Sequence, residues 1–160
     1  MSDMYYTAEN TWHVSKRGGI IITALYSQCV VVGLIYKSAL GETRDIGALA
    51  HIHDRGNPRE ILNGMFGAFA EAGGNVRESK IIVSGGIDGF VAGYKLNGRY
   101  KLNGRIALDK VKEYFEALKI LNYREDTEID CAREMVMNPE ILMITVKREG
   151  HETLYMRHCT

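Results

Sequence analysis

Two apolar runs with two polar residues between them constrain this chain most. Residues 19–26 read GIIITALY and residues 29–36 read CVVVGLIY, with Ser27-Gln28 in the gap. Both runs are apolar at alternate and at intervening positions and rich in β-branched side chains. That pattern fits strands covered on both faces rather than half-solvated ones. The turn SALGETRD (38–45) leads into a third strand, RDIGALAHIH (44–53). Its two-residue period puts Ile46, Ala48, Ala50 and Ile52 on one face and Gly47, Leu49, His51 and His53 on the other. The core takes the isoleucine and alanine side, and both imidazoles point elsewhere.

Helical signals follow. Asn57, Pro58 and Glu60 supply an N-cap type, a proline at the first position and an early acid. Ile61, Met65, Ala68, Phe69 and Ala72 recur at helical spacing, and Gly73-Gly74 stops the helix. SKIIVSGG (79–86) and GFVAGYKL (89–96) read as short strands. KLNGRYKLNGR (95–105), with two Asn-Gly turn signals, reads as a hairpin or an excursion. A second helix is expected over 107–121, with Leu108, Val111, Phe115 and Leu118 on one face. TEIDCAREMVM, ILMITVKR and ETLYMRH are β-like, with EGHE as a turn between the last two. Strands, helix, strands, helix, strands is an α+β order rather than a βαβ series. One domain spans 1–160, with 1–17 as an N-terminal extension.

Lys+Arg and Asp+Glu are both 20, so no global field draws the chain to nucleic acid or an anionic membrane. The N-terminal residues have no apolar core of signal-peptide length, and no later stretch approaches the length of a membrane span. The three cysteines, Cys29, Cys131 and Cys159, lack both CxxC spacing and a disulfide framework. Reduced thiols in a cytoplasmic protein are expected, and export without a cleaved signal leaves the same pattern.

Two segments carry candidate chemistry. Cys29 follows Ser27-Gln28 at a junction between strands. It is either core packing, since free cysteine is among the most buried residue types, or a nucleophile whose neighbouring N–H groups hold an oxyanion. His51 and His53 are structural, or a metal pair at i, i+2, or the source of a base for Cys29. Asp54 faces away from such a metal if the strand persists. Gly85-Gly86 lacks the spacing of a phosphate loop and reads as a tight turn. Asp109, Lys110, Lys112, Glu113 and Glu116 form a solvated helix face. Cys131 reads as structural in an alternating strand, and Cys159 as a frayed terminal residue.

Thr23-x-x-x-Ser27-x-Cys29 followed by Gly47-Ala-Leu-Ala-His51 resembles the CheD family of chemoreceptor glutamine deamidases. There a threonine precedes the catalytic cysteine by six residues, and a G-G-x-x-H segment brings the histidine. The threonine spacing holds here, and Ala48 replaces the second glycine. More weakly, SKIIVSGG resembles the family's K-I-F-G-G strand, so the likeness spans most of 18–157. Ser27-Gln28 stands where the family has Gly-Ser, and His53-Asp54-Arg55 stands where it has Leu-Pro. The Ser27-x-Cys29 form is nearer the toxin deamidases of the same fold, the cytotoxic necrotizing factor catalytic domain and Burkholderia lethal factor.

The resemblance implies a layered β-sheet or sandwich core, mixed and largely antiparallel, with two main helices packed outside. It also implies hydrolysis of a glutamine side-chain amide in a protein substrate, in a chemotaxis-like or toxin-like role and with no cofactor. Cys29 attacks the carboxamide, and His51 activates the thiol, protonates departing ammonia and activates water. Thr23 orients the imidazole through its hydroxyl or carbonyl, and His53 is the alternative base. Backbone N–H groups near Ser27, Gln28 and Cys29, beside Tyr26, hold the oxyanion. Two other readings remain open: an inactive binding or regulatory module of the same fold, and a metal-dependent hydrolase built on His51 and His53.

Overall fold

A computed structural model describes residues 4–16, 19–23, 25–37, 45–53, 55–92, 99–102 and 104–158. The turn at 38–44, Asp54, both asparagines of the repeated Asn-Gly signal and Cys159 lie outside these residues.

The strands are β1 (Met4–Thr7), β2 (Thr11–Lys16), β3 (Ile20–Thr23), β4 (Val30–Tyr36), β5 (Ile46–Ile52) and β6 (Lys80–Gly85). Then come β7 (Gly89–Ala92), β8 (Arg99–Leu102), β9 (Arg124–Asp126), β10 (Arg133–Asn138), β11 (Met143–Arg148) and β12 (Leu154–Arg157). Helices α1 (Pro58–Glu71) and α2 (Gly104–Ala117) interrupt the series. Among the described residues one five-stranded sheet has the order β2-β5-β4-β6-β9 and a second has β1-β3-β10-β11-β12. The β1–β3 and β6–β9 pairs are parallel, and the other pairs within these two sheets are antiparallel. Strands β7 and β8 pair as an antiparallel ribbon, Gly89 opposite Leu102 and Ala92 opposite Arg99, so the pairing joins 89–92 to 99–102 rather than lying within 95–105.

Burial on two sides explains the uninterrupted apolar runs. Val31, Ile35, Leu49 and Ile82 of the first sheet meet Ile21, Met135, Met137, Ile144 and Val146 of the second. On the opposite face Val30, Val32, Leu34, Ile46, Ala48, Ala50 and Ile52 meet Leu62, Met65 and Phe69 of α1 and Leu108, Val111 and Phe115 of α2. The result is three layers: helices, sheet, sheet. Each fully buried large side chain contributes roughly 1.5–3 kcal/mol of transfer free energy, so the middle sheet is the most firmly held layer.

Helix α1 begins where its signals place it. The Asn57 side chain accepts from the Glu60 N–H at 3.2 Å, and Pro58 occupies the first turn. It ends as expected, with the Gly74 N–H donating to the Phe69 carbonyl and Gly73 at φ +101°. Helix α2 is shifted from the expected 107–121. It starts at Gly104 and stops at Ala117, because Lys119 takes φ +58° and the Ile120 N–H turns back to the Phe115 carbonyl. A lysine in the left-handed region leaves no stop signal of the kind glycine gives.

Two further expectations are corrected. Residues 4–16 are no extension, for β1 joins the outer sheet and β2 pairs along its own full length with β5. The 127–137 segment is not one strand: β9 ends at Asp126, β10 starts at Arg133, and Cys131 sits half-buried in the connection. That connection wraps the Arg133 guanidinium, which donates to the Cys131 carbonyl at 2.8 Å and the Ile129 carbonyl at 2.5 Å.

Candidate active site

The gap between the two apolar runs is a bend at Ser27–Cys29, after β3 and immediately before β4. Each side of the bend is fixed by backbone pairing. Tyr26 bridges Arg133, with N–H to carbonyl distances of 2.9 and 2.8 Å. The Ser27 carbonyl accepts from the Ile87 N–H at 3.2 Å, and the Cys29 carbonyl from the Gly86 N–H at 3.0 Å. Gly85 and Gly86 both have positive φ, +87° and +71°, so the pair is the tight turn that the sequence suggests. It lets β6 approach Cys29 closely.

A buried polar chain anchors the same bend. The Tyr26 hydroxyl donates to Ser84 Oγ at 2.8 Å, and Ser84 donates to Asp126 Oδ2 at 2.8 Å. Arg133 Nε donates to the same carboxylate oxygen at 2.7 Å, and Arg148 reaches the other at 3.4 Å. Burial raises the Tyr26 phenol well above its ordinary value, so it remains a neutral donor. Burial alone pushes Asp126 up, but hydrogen bonds from Arg133 and Ser84, with both arginine charges, leave it below the ordinary carboxylate range.

Cys29 is 9% exposed, belongs to the core between the sheets, and also lines a pocket of about 250 Å³. Packing and site readings therefore meet in one residue. The pocket wall includes Glu9, Leu25, Tyr26, Gln28 and His53. Larger hollows of about 660 and 530 Å³ lie at the start of α1 and beside Tyr123, but neither is lined by a thiol or an imidazole. Chemistry rather than size picks out the Cys29 pocket.

His51 comes from β5, where it is in register with Val31 of β4. It is 1% exposed, and its ring meets Tyr26 edge-on at 6.0 Å between centroids. A ring nitrogen of His51, Cys29 Sγ and a Glu9 carboxylate oxygen all lie within 4.8 Å of one another. His51 Nδ1 faces the Thr7 carbonyl oxygen at 3.4 Å, and Nε2 is buried without a hydrogen-bond partner. Burial lowers the His51 pKa, against smaller opposing effects from the Thr7 carbonyl and the Glu9 charge. The imidazole is therefore neutral near pH 7. A proton on Nδ1 facing Thr7 leaves the Nε2 lone pair for a thiol.

Thr23, to which the resemblance gives the orienting role, has a backbone partner across the outer sheet. Its hydroxyl accepts from the Met135 N–H at 3.1 Å, at the point where β3 leaves its ladder with β10. Thr7 stands opposite Thr23 in the parallel β1–β3 register, and its carbonyl is the one that faces His51. His53 lies one residue past the end of β5, and its Nδ1 accepts from the Arg55 N–H at 3.2 Å. Among the described residues, the potential ligand cluster takes in Glu9 beside Cys29 and His51, and His53 is not part of that cluster. The bend at Ser27–Cys29 is the place where the resemblance has backbone N–H groups hold an oxyanion, and its Ser27 and Cys29 carbonyls are fixed by Ile87 and Gly86.

The sequence reading missed Glu9 and Thr7. Glu9 sits in the β1–β2 turn, and Thr7 contributes a backbone atom. Among the described residues no helix is long and apolar enough to cross a membrane, which says nothing of strands. Comparison with protein-family models finds no match, and comparison with curated proteins finds none either.

Proposed function

We propose that this protein is a cysteine-dependent protein-glutamine deamidase of the CheD-like kind, with Cys29 as nucleophile and His51 as base. The observation that carries the reading is the approach of Cys29 Sγ and a His51 ring nitrogen to within 4.8 Å beneath a surface pocket. The thioester route then follows from ordinary acyl-transfer chemistry. Neutral His51 takes the thiol proton as Cys29 Sγ attacks the carboxamide carbon. The imidazolium returns that proton to the departing nitrogen, and ammonia leaves a thioester. His51 next deprotonates water, which adds to the thioester carbon; collapse releases glutamate and restores the thiol.

Two further features support a polypeptide substrate. Leu25, 70% exposed, stands on the pocket rim as an apolar contact. The pocket admits a side chain while the imidazole stays behind the thiol and away from solvent. An amine in place of water captures the same thioester, so transglutamination is the expected side reaction.

The test is the pH dependence of iodoacetamide alkylation at Cys29, resolved by mass spectrometry, in wild type and His51→Ala. An activated pair reacts well below the ordinary thiol pKa of about 8.5 and loses that reactivity in His51→Ala. A Cys29 that stays inert until the chain unfolds returns the residue to the core. The inactive-module reading then takes its place.

A further inference from the structure

Glu9 has no part in the thioester route, yet its carboxylate stands among the reacting atoms. We propose that Glu9, Cys29 and His51 form a binding site for a zinc-class divalent cation, and that occupancy silences the thiol. The silencing rests on the deamidase reading, whereas the binding does not.

The donor set is one thiolate sulfur, one imidazole nitrogen and one carboxylate oxygen, which suits a borderline-soft cation and leaves a fourth position for water. Metal–ligand bonds of about 2.0–2.3 Å in a tetrahedron place ligand atoms roughly 3.3–3.6 Å apart. The three atoms already lie within 4.8 Å of one another. Each pair therefore closes by at most about 1.5 Å: Glu9, exposed in a turn, supplies the movement for its two pairs, and a small side-chain rotation of Cys29 or His51 closes the third.

A second, independent observation points to a ligand here. His51 Nε2 is buried without a hydrogen-bond partner, although its residue is only 1% exposed. Such an orphaned nitrogen is costly unless something occupies it. The other nitrogen faces the Thr7 carbonyl at 3.4 Å, the outer-shell contact that fixes the tautomer of a metal-binding histidine. Binding displaces the thiol proton to solvent and ties up the sulfur lone pair, so the cation blocks attack on any carbonyl.

The experiment titrates the metal-free full chain with cadmium and follows thiolate-to-metal charge-transfer absorption, with zinc as competitor. In parallel, alkylation of Cys29 is measured with and without zinc. Wild type should bind one equivalent, with zinc protecting Cys29 and a chelator restoring its reactivity. Cys29→Ser should abolish the band, and Glu9→Gln should weaken binding by at least ~10-fold. Thermal midpoints confirm that each variant is folded. No band, an unchanged band in Cys29→Ser, or equal affinity in Glu9→Gln overturns the site. A thiol that is reactive without metal and indifferent to zinc sinks this proposal alone. A thiol that is inert without metal, in a protein that still binds cadmium through Cys29 and Glu9, sinks the deamidase reading and leaves the metal site standing.

Discussion

The carbonyl oxygen of Cys29 lies 2.2 Å from the place a Cβ on Gly85 would occupy, and the Gly86 N–H holds that oxygen at 3.0 Å. Gly85 therefore fixes the nucleophile through the backbone rather than through any side chain. Gly85→Ala should cost on the order of 1–3 kcal/mol for its φ of +87° alone, with the carbonyl clash added. Gly150→Ala is the control, since Gly150 has φ +74° and nothing within 4 Å of its Cβ position. Denaturant melts should show the larger loss for Gly85→Ala, and only that variant should change the alkylation rate of Cys29. Equal losses, with an unchanged rate, would show that the close approach does not position the thiol.

Asp126 anchors the other side of the bend. Its carboxylate, 3% exposed, accepts from the fully buried Arg133 and from Ser84, which in turn holds Tyr26. Asp126→Ala strands the guanidinium and should destabilise by about 3–5 kcal/mol. The folded-state pKa of Asp126 is lowered, so its contribution is present above the unfolded carboxylate value and is lost as pH falls through the folded one. Acid titration of thermal midpoints should show wild type losing stability at low pH more steeply than Asp126→Ala. Parallel curves would deny the carboxylate that role.

What the sequence disclosed follows from which forces act locally. The runs at 19–26 and 29–36 carry their burial in every position, and Asn57-Pro58 carries its helix start in the residues themselves. The bend holding Cys29 was legible for the same reason, as a polar gap between apolar strands. Strand β1 was not, because Met4, Tyr5 and Tyr6 are exposed and only Thr7 is buried. Strand β9, Arg-Glu-Asp, exists by pairing with β6 and by the Asp126–Arg133 contact, neither of which is local. The role of Thr7 is played by a carbonyl oxygen, a group every residue has, so no residue type could signal it.

Thr23 and Thr7 give opposite predictions for the same substitution. Thr23→Val removes the acceptor of a buried Met135 N–H and should cost about 1–3 kcal/mol. Thr7 Oγ1 is buried without a hydrogen-bond partner, so Thr7→Val exchanges an unsatisfied hydroxyl for a methyl and should be neutral or stabilising. Both variants keep the Thr7 carbonyl, so neither should change the response of Cys29 alkylation to pH. If Thr23→Val abolishes Cys29 reactivity in a folded protein, the orienting role returns to Thr23.

His51 makes stability depend on pH with a sign that tests its charge state. Burial lowers its folded-state pKa, so as pH falls through the ordinary histidine value near 6.5 the unfolded chain takes a proton that the folded chain resists. Stability should fall on acidification from about pH 7.5 to 5.5, with a limiting slope near 1.4 kcal/mol per pH unit for one proton. His51→Gln keeps a polar side chain without the ionisation, and its curve should be flatter over that window. The difference between the two curves isolates His51 from the other histidines. If wild type instead gains stability relative to His51→Gln as the pH falls, His51 is held as an imidazolium, and the mechanism begins from a thiolate–imidazolium pair rather than a neutral base.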